Sequence, residues 1–194
     1  MATGVAGLIL AGGAGTRFGG PKAFACLPDG RTFLAACVEV LRAGGAAPVV
    51  ATLPSTEPIA VAGSVDAITL PQPGLPMFDS LTVGLRRLLD DAGWDRVVVL
   101  PVDHPLVRPA TVRALAAARA DAANPVHRGK RGHPIMLRRT LAERIVSGAL
   151  PGPTLRDVLH AVVTADVSIE DPGTTANCNT PDALAAALAA VARA

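Results

Sequence analysis

The sequence predicts an α/β fold with a mostly parallel sheet, and two observations carry that expectation. Strand-like apolar runs alternate with helix-like segments along most of the chain, the rhythm of βαβ units. The two strongest runs, Val5 to Leu10 and Arg96 to Val102, are apolar on both faces. Such runs belong to strands covered by helices on both sides. At 194 residues the chain is long enough for one sizeable core, and residues 1–194 read as a single domain.

The elements follow in order. Val5 to Leu10 is the first strand, ending at glycines. Thr32 caps a helix to about Leu41, and Gly44-Gly45 ends it. Pro48 to Leu53 is a second strand, Ser55 to Ala62 a weak helix, and Asp66 to Leu70 a third strand. Asp79 is expected to cap a strong helix, Ser80 to Ala92, with Leu81, Leu85, Leu88 and Leu89 on one face. Arg96 to Val102 is the fourth strand, and Ala110 to Ala120 a helix behind Pro109. Pro125 to Arg139 then reads as an irregular hairpin around Gly129 and Gly132. Thr140 to Ser147 and Thr154 to Ala161 are short helices, and Val163 to Ile169 alternates as a strand. Thr180-Pro181-Asp182 opens the terminal helix with a cap, a proline and an acid.

Composition narrows the function classes. The net charge is only +2 and aromatics make up 3% of the chain, with no Tyr. A base-stacking nucleic-acid surface is therefore not expected. Cys26, Cys37 and Cys178 are odd in number and scattered, so neither a disulfide framework nor a zinc knuckle follows. No run is long enough to span a membrane, and the start lacks a basic leader. The expectation is a reduced, cytoplasmic protein.

The most informative segment is Leu8-Ile9-Leu10-Ala11-Gly12-Gly13-Ala14-Gly15-Thr16-Arg17-Phe18-Gly19-Gly20-Pro21-Lys22. Glycines without Cβ atoms let backbone N–H groups approach a ligand closely. Arg17 and Lys22 place two cations beside those donors, a combination suited to a nucleoside triphosphate. A P-loop is excluded, because Lys22 follows Pro21 and precedes Ala23. A dinucleotide fingerprint is excluded as well. Gly19 falls one position late, and the second strand ends in Pro54-Ser55 without an acid. Lys22 is expected to face the ligand and to have no buried partner in the free protein.

A second constellation, Val102-Asp103-His104-Pro105, sets a carboxylate just past a buried strand. Ligands in open α/β sheets bind beyond the carboxyl ends of strands. Asp103 there either holds Mg²⁺, which favours hard oxygen ligands, or bonds to backbone in an Asx-turn. His104 either touches a phosphate or packs in the turn.

The pattern L-A-G-G-x-G-x-R-F-G-G-P-K resembles the signature of the MobA-like nucleotidyltransferases, which include molybdenum cofactor guanylyl- and cytidylyltransferases. The resemblance runs from Leu8 to Leu184. It implies a Rossmann-like three-layer α/β/α nucleotidyltransferase fold. It further implies that Leu10, Ala11, Gly12, Gly13 and Gly15 bind the nucleotide, with Gly12 and Gly13 reading the base. Arg17 would hold the β- and γ-phosphates and Lys22 the α-phosphate. Asp103 matches the family's magnesium-binding acid. Gly132-His133-Pro134 resembles the cytidylyltransferases' G-H-P, which puts His133 on the acceptor. Asn177-Cys178-Asn179-Thr180-Pro181-Asp182 has the guanylyltransferases' N-x-N-T-P form, so Asn179 is a neutral metal ligand or a capping residue. Ser80 lies in a stretch resembling the family's S-L-x-x-G-L, with base or ribose as its expected contact. The implied activity is transfer of NMP from CTP or GTP to a phosphorylated acceptor, molybdopterin first, with Mg²⁺ as cofactor. A molybdoenzyme is the further partner implied. A sugar or polyol phosphate acceptor, or a non-catalytic nucleotide-binding member of the fold, are the alternatives.

Overall fold

A computed structural model describes residues 3–13, 20–54, 65–70, 72, 74–150 and 152–193. The weak helix expected over 55–62, and the site residues Gly15 and Arg17, lie outside the described residues.

Among the described residues eight strands form one sheet: β1 (Gly4–Leu10), β2 (Ala46–Leu53), β3 (Asp66–Thr69), β4 (Trp94–Pro101), β5 (Ala122–His127), β6 (Lys130–Arg131), β7 (Ile135–Arg138) and β8 (Thr164–Ser168). Their order is β3-β2-β1-β4-β7-β5-β6, with β8 also paired to β5. The β3-β2-β1-β4 portion is parallel throughout, as is the β5–β8 pair. The fold class expected from sequence, a mostly parallel sheet between helical layers, is the one observed.

The two helical layers follow from alternation along the strands. Ile9, Val98 and Leu100 face one core with Phe33, Leu34, Cys37 and Leu41 of α1 (Phe33–Ala43), Val112 and Leu115 of α3 (Pro109–Ala116), and Ala187 of α6 (Pro181–Ala192). Leu8, Leu10, Val97 and Val99 face the other, with Leu81, Leu85 and Leu88 of α2 (Met77–Leu89), Leu141 and Ile145 of α4 (Arg139–Val146), and Val158 of α5 (Leu155–His160). Neighbouring residues of a strand point to opposite faces. A strand apolar at every position is therefore covered twice.

Three local expectations need correction. Asp79 does not cap α2: Pro76 occupies the N-cap and Asp79 sits in the first turn. The helix starts earlier than expected because the backbone is already helical at Met77, and it ends at Leu89. Helix α3 stops at Ala116 rather than Ala120. The segment read as an irregular hairpin is three strands. Residues Arg128-Gly129 join β5 to β6, both at positive φ (48° and 77°), a tight antiparallel turn. Strand β7 then runs back between β4 and β5, antiparallel to both.

Strand β1 pairs with β2 on one side and with β4 on the other. The chain reverses its direction of travel across the sheet at that point. Such a switch opens a crevice at the carboxyl ends of the two strands, where ligands of doubly wound folds bind.

Candidate active site

The crevice is built by register. Leu10 lies opposite Pro101, and the ladder continues one step further, with Val102 N donating to Leu10 O at 3.0 Å. Ala11 N donates to Thr52 O at 3.0 Å on the other side. Ala11, Gly12 and Gly13 therefore leave the sheet beside Asp103. A Cβ on Gly12 would run into the Leu70 side chain and stand 3.4 Å from Ser80 Oγ. A Cβ on Gly13 would meet no atom of the described residues, and a glycine backbone can approach a ligand closely. Ser80 is 3% exposed, and its hydroxyl donates to Pro76 O at 3.3 Å, which leaves its lone pairs beneath Gly12.

Lys22 opens a short 3₁₀ turn, Lys22–Phe24, anchored by Ala25 N donating to Lys22 O at 3.1 Å. Its ammonium lies 3.5 Å from Asp103 Oδ2 and donates to Asn179 Oδ1. The expectation that Lys22 has no partner in the free protein is therefore corrected: the lysine bridges two residues that the sequence singled out as metal ligands. Asp103 is positioned in turn by the C-terminal segment, because Cys178 N donates to Asp103 O at 2.8 Å.

That arrangement tests whether a divalent cation suits the site. A carboxylate and an amide carbonyl converge on one cationic group, and both are hard oxygen donors of the kind Mg²⁺ and Mn²⁺ take. Among the described residues no three His, Cys, Asp or Glu side chains cluster as a metal site. The fit therefore rests on Asp103, Asn179 and oxygens that a phosphate ligand would add.

His104 and His133 form a wall beside Asp103. Their rings lie 4.8 Å apart at 56°. His104 is buried, with Nδ1 3.5 Å from Gly173 O and Nε2 4.0 Å from Asp103 Oδ1. Of the two roles expected for His104, packing fits a 4% exposed ring. Burial holds its pKa below the usual histidine value. Burial, and then the neighbouring His104, push His133 down to about 4. His133 N donates to Thr174 O at 2.8 Å, whereas its buried Nδ1 has no partner among the described residues.

Sequence reasoning missed the residue that holds this wall. Asp171 is 1% exposed and accepts from Arg108 N at 2.8 Å, Thr111 Oγ1 at 2.6 Å and Gly173 N at 2.9 Å. Three donors on one buried carboxylate satisfy the charge that burial would otherwise penalise. Gly173 presses against Leu106 O and Gly132 against Thr174 O, so closely that neither has room for a Cβ. The sequence signal was Asp171-Pro172-Gly173, an acid ahead of a proline that starts a turn.

A glycine loop and a carboxylate at the switch point of a doubly wound sheet define a nucleotide-handling α/β domain. Residues 7–166 match the MobA-like NTP transferase domain model, and the chain belongs to that family. A search of curated proteins found no match. Among solved structures, Rv0371c from Mycobacterium tuberculosis H37Rv aligns with TM-score 0.76 at 22% identity, covering 97% of this chain and 100% of that one. The same protein is also known as a manganese complex. A Methanothermobacter nucleotidyl transferase aligns with TM-score 0.78 at 20% identity, covering 97% and 98%. Molybdopterin-guanine dinucleotide biosynthesis protein A from Archaeoglobus fulgidus aligns with TM-score 0.68 at 20% identity, covering 97% and 99%. At these identities the likeness speaks for the fold alone. Among the described residues no helix is long and apolar enough to cross a membrane.

Proposed function

We propose that this nucleotidyltransferase moves NMP from CTP or GTP to a phosphorylated acceptor, with molybdopterin as the first candidate. The observation that carries the reading is the convergence of Lys22, Asp103 and Asn179 beside the Gly12-Gly13 backbone. An acceptor phosphate oxygen attacks the α-phosphorus. The bond from that phosphorus to the bridging oxygen of the β-phosphate breaks, and pyrophosphate leaves. Such transfers rest on positioning and charge neutralisation rather than on covalent chemistry by the protein.

The backbone of Ala11 to Gly13 receives the base, with Ser80 beneath. Lys22 turns from Asp103 toward the α-phosphate, and Arg17 takes the distal phosphates. His133, neutral at pH 7, donates or accepts a hydrogen bond to the acceptor. A divalent cation on Asp103 and Asn179 would add charge neutralisation between phosphate oxygens.

The test is pyrophosphate release with CTP, GTP, ATP and UTP against molybdopterin and a panel of sugar and polyol phosphates, with Mg²⁺ and with EDTA. Release only with molybdopterin and one of CTP or GTP supports the reading. Release with a polyol phosphate alone replaces the acceptor. Polyol phosphates belong in the panel because the 2-C-methyl-D-erythritol 4-phosphate cytidylyltransferase from Thermus thermophilus shares the fold, with TM-score 0.68 at 21% identity. Fold likeness therefore does not separate the two acceptors.

A further inference from the structure

We propose that Lys22 is a built-in occupant of the cation position. The site then takes a metal–triphosphate chelate and resists a bare divalent ion. The inference rests on the metal assignment made under Proposed function. Its observation is the place of the ammonium: 3.5 Å from Asp103 Oδ2 and hydrogen-bonded to Asn179 Oδ1. Both oxygens assigned to the metal are thus engaged by one cation of the chain's own.

The lysine is held there rather than tethered loosely. Its backbone carbonyl accepts from Ala25 N in the 3₁₀ turn, and only 23% of its side chain and 18% of the Asp103 side chain are exposed. A bare ion arriving alone must expel the ammonium and leave it beside a second positive charge. Like charges at such a distance repel, the more so where water is partly excluded. A triphosphate changes the balance. It brings its own negative charge, and its oxygens offer the ammonium a new partner close by. The lysine then moves from carboxylate to phosphate as the chelate enters. Asp103 and Asn179 are released in the same movement. Beside Asp103, a Cβ on Gly13 would meet no atom of the described residues.

Lys22 is in this sense a specificity-determining residue. Substitution should act with opposite sign on two ligands that share one metal. The experiment titrates Mn²⁺ by electron paramagnetic resonance of the free ion, first alone and then with inorganic triphosphate, which removes the unknown base from the measurement. Wild type, Lys22→Ala, Lys22→Gln, Asp103→Asn and Lys130→Ala are compared after their thermal melts show folded protein. Lys130 is an exposed cation on β6 with no part in the site, and it controls for bulk charge.

Both Lys22 variants should bind bare Mn²⁺ roughly 5-fold tighter or more, the scale of one displaced and partly solvated ion contact. The same variants should bind Mn²⁺–triphosphate more weakly than wild type does. Unchanged or weakened bare Mn²⁺ binding in both overturns the inference. So does an equal gain in Lys130→Ala, which would make the effect one of bulk charge. Asp103→Asn separates this outcome from failure of the metal assignment itself. If that variant keeps full Mn²⁺ binding, the assignment falls and the inference with it. If it loses binding while the Lys22 variants show no gain, the inference alone falls.

Discussion

Lys22 bridges Asp103 and Asn179, and in the proposed reaction it turns to the phosphates. Lys22→Ala should lower turnover by roughly 10²–10³, the scale of losing one preorganised charge-stabilising group. Its stability cost should stay within about 1 kcal/mol, because the pair is partly solvated. Near-normal pyrophosphate release by the variant would remove Lys22 from the reaction. The histidines make a different prediction. His133 is held neutral down to about pH 4 in the fold, whereas an unfolded histidine protonates near 6.5. Between those values the unfolded chain binds the extra proton, so stability falls as pH drops from about 6.5 toward 4 and is level above. At pH 5 the loss for His133 alone is about 2 kcal/mol. Denaturant melts in EDTA at pH 7.5 and 5 would check this, with His133→Asn losing less than wild type. Equal losses in both proteins would show that the ring is protonated without penalty. The sequence singled out Lys22, Asp103 and His133 separately, from the glycine-rich segment, the end of a buried strand and the Gly132-His133-Pro134 run. It could not show that Lys22 rests on Asp103, since a side-chain pairing between residues 22 and 103 leaves no trace in local pattern.

The strap from Asp171 to Asn179 is the element on which the site depends. It brings Asn179 to Lys22, Cys178 N to Asp103 O and Gly173 O to His104. Asp171 anchors it through Arg108 N, Thr111 Oγ1 and Gly173 N. Asp171→Ala strands those three donors, and about 3 kcal/mol of stability should be lost. Asp171→Asn keeps one acceptor oxygen and should lose less. If the alanine variant melts like wild type, the strap is held by something else. Gly132→Ala gives an independent check. Its Cβ would meet Thr174 O, a backbone atom that cannot swing aside, so a cost of roughly 1–3 kcal/mol and a displaced His133 are expected. The caps of α1 and α6 were legible because Thr32 and Thr180 accept from Ala35 N and Ala183 N, as the N-cap pattern requires. The start of α2 was not, because Pro76 caps it without a side-chain bond and Asp79 offered a decoy. Strand β7 was hidden for a deeper reason. Ile135–Arg138 is four residues long, and hydrophobic pattern does not state whether a strand runs parallel or antiparallel to its neighbour.

Across the whole molecule the sheet has two kinds of edge to the site. The parallel β3-β2-β1-β4 half supplies the switch point and hence the crevice proposed for the nucleotide. The half built on β7, β5, β6 and β8 carries His133 and the strap, and so the wall proposed for the acceptor. The first half was readable because its central strands β1 and β4 carry the strongest apolar runs and lead into Gly12-Gly13 and Asp103. The second was read only piecemeal, since β6 and β7 are short and β7 runs antiparallel to both β4 and β5. This division predicts how ligands stabilise the fold. A ligand that binds the folded state alone raises stability with its concentration, by about 2.7 kcal/mol at 100 times its Kd. For a chain of this size that corresponds to a melting shift of roughly 5–10 °C. CTP and GTP, each with Mg²⁺, should differ in that shift, and the larger shift identifies the base. EDTA should remove most of it in wild type. In Asp103→Asn the nucleotide shift should be small and insensitive to EDTA, because the carboxylate that links metal to protein is gone. His133→Ala lies in the other half of the sheet and should keep the full nucleotide shift while losing turnover or acceptor affinity, since a group that meets one substrate alters only that substrate's terms. Loss of the nucleotide shift in His133→Ala would place the histidine on the triphosphate side of the crevice and dissolve the division between the two halves.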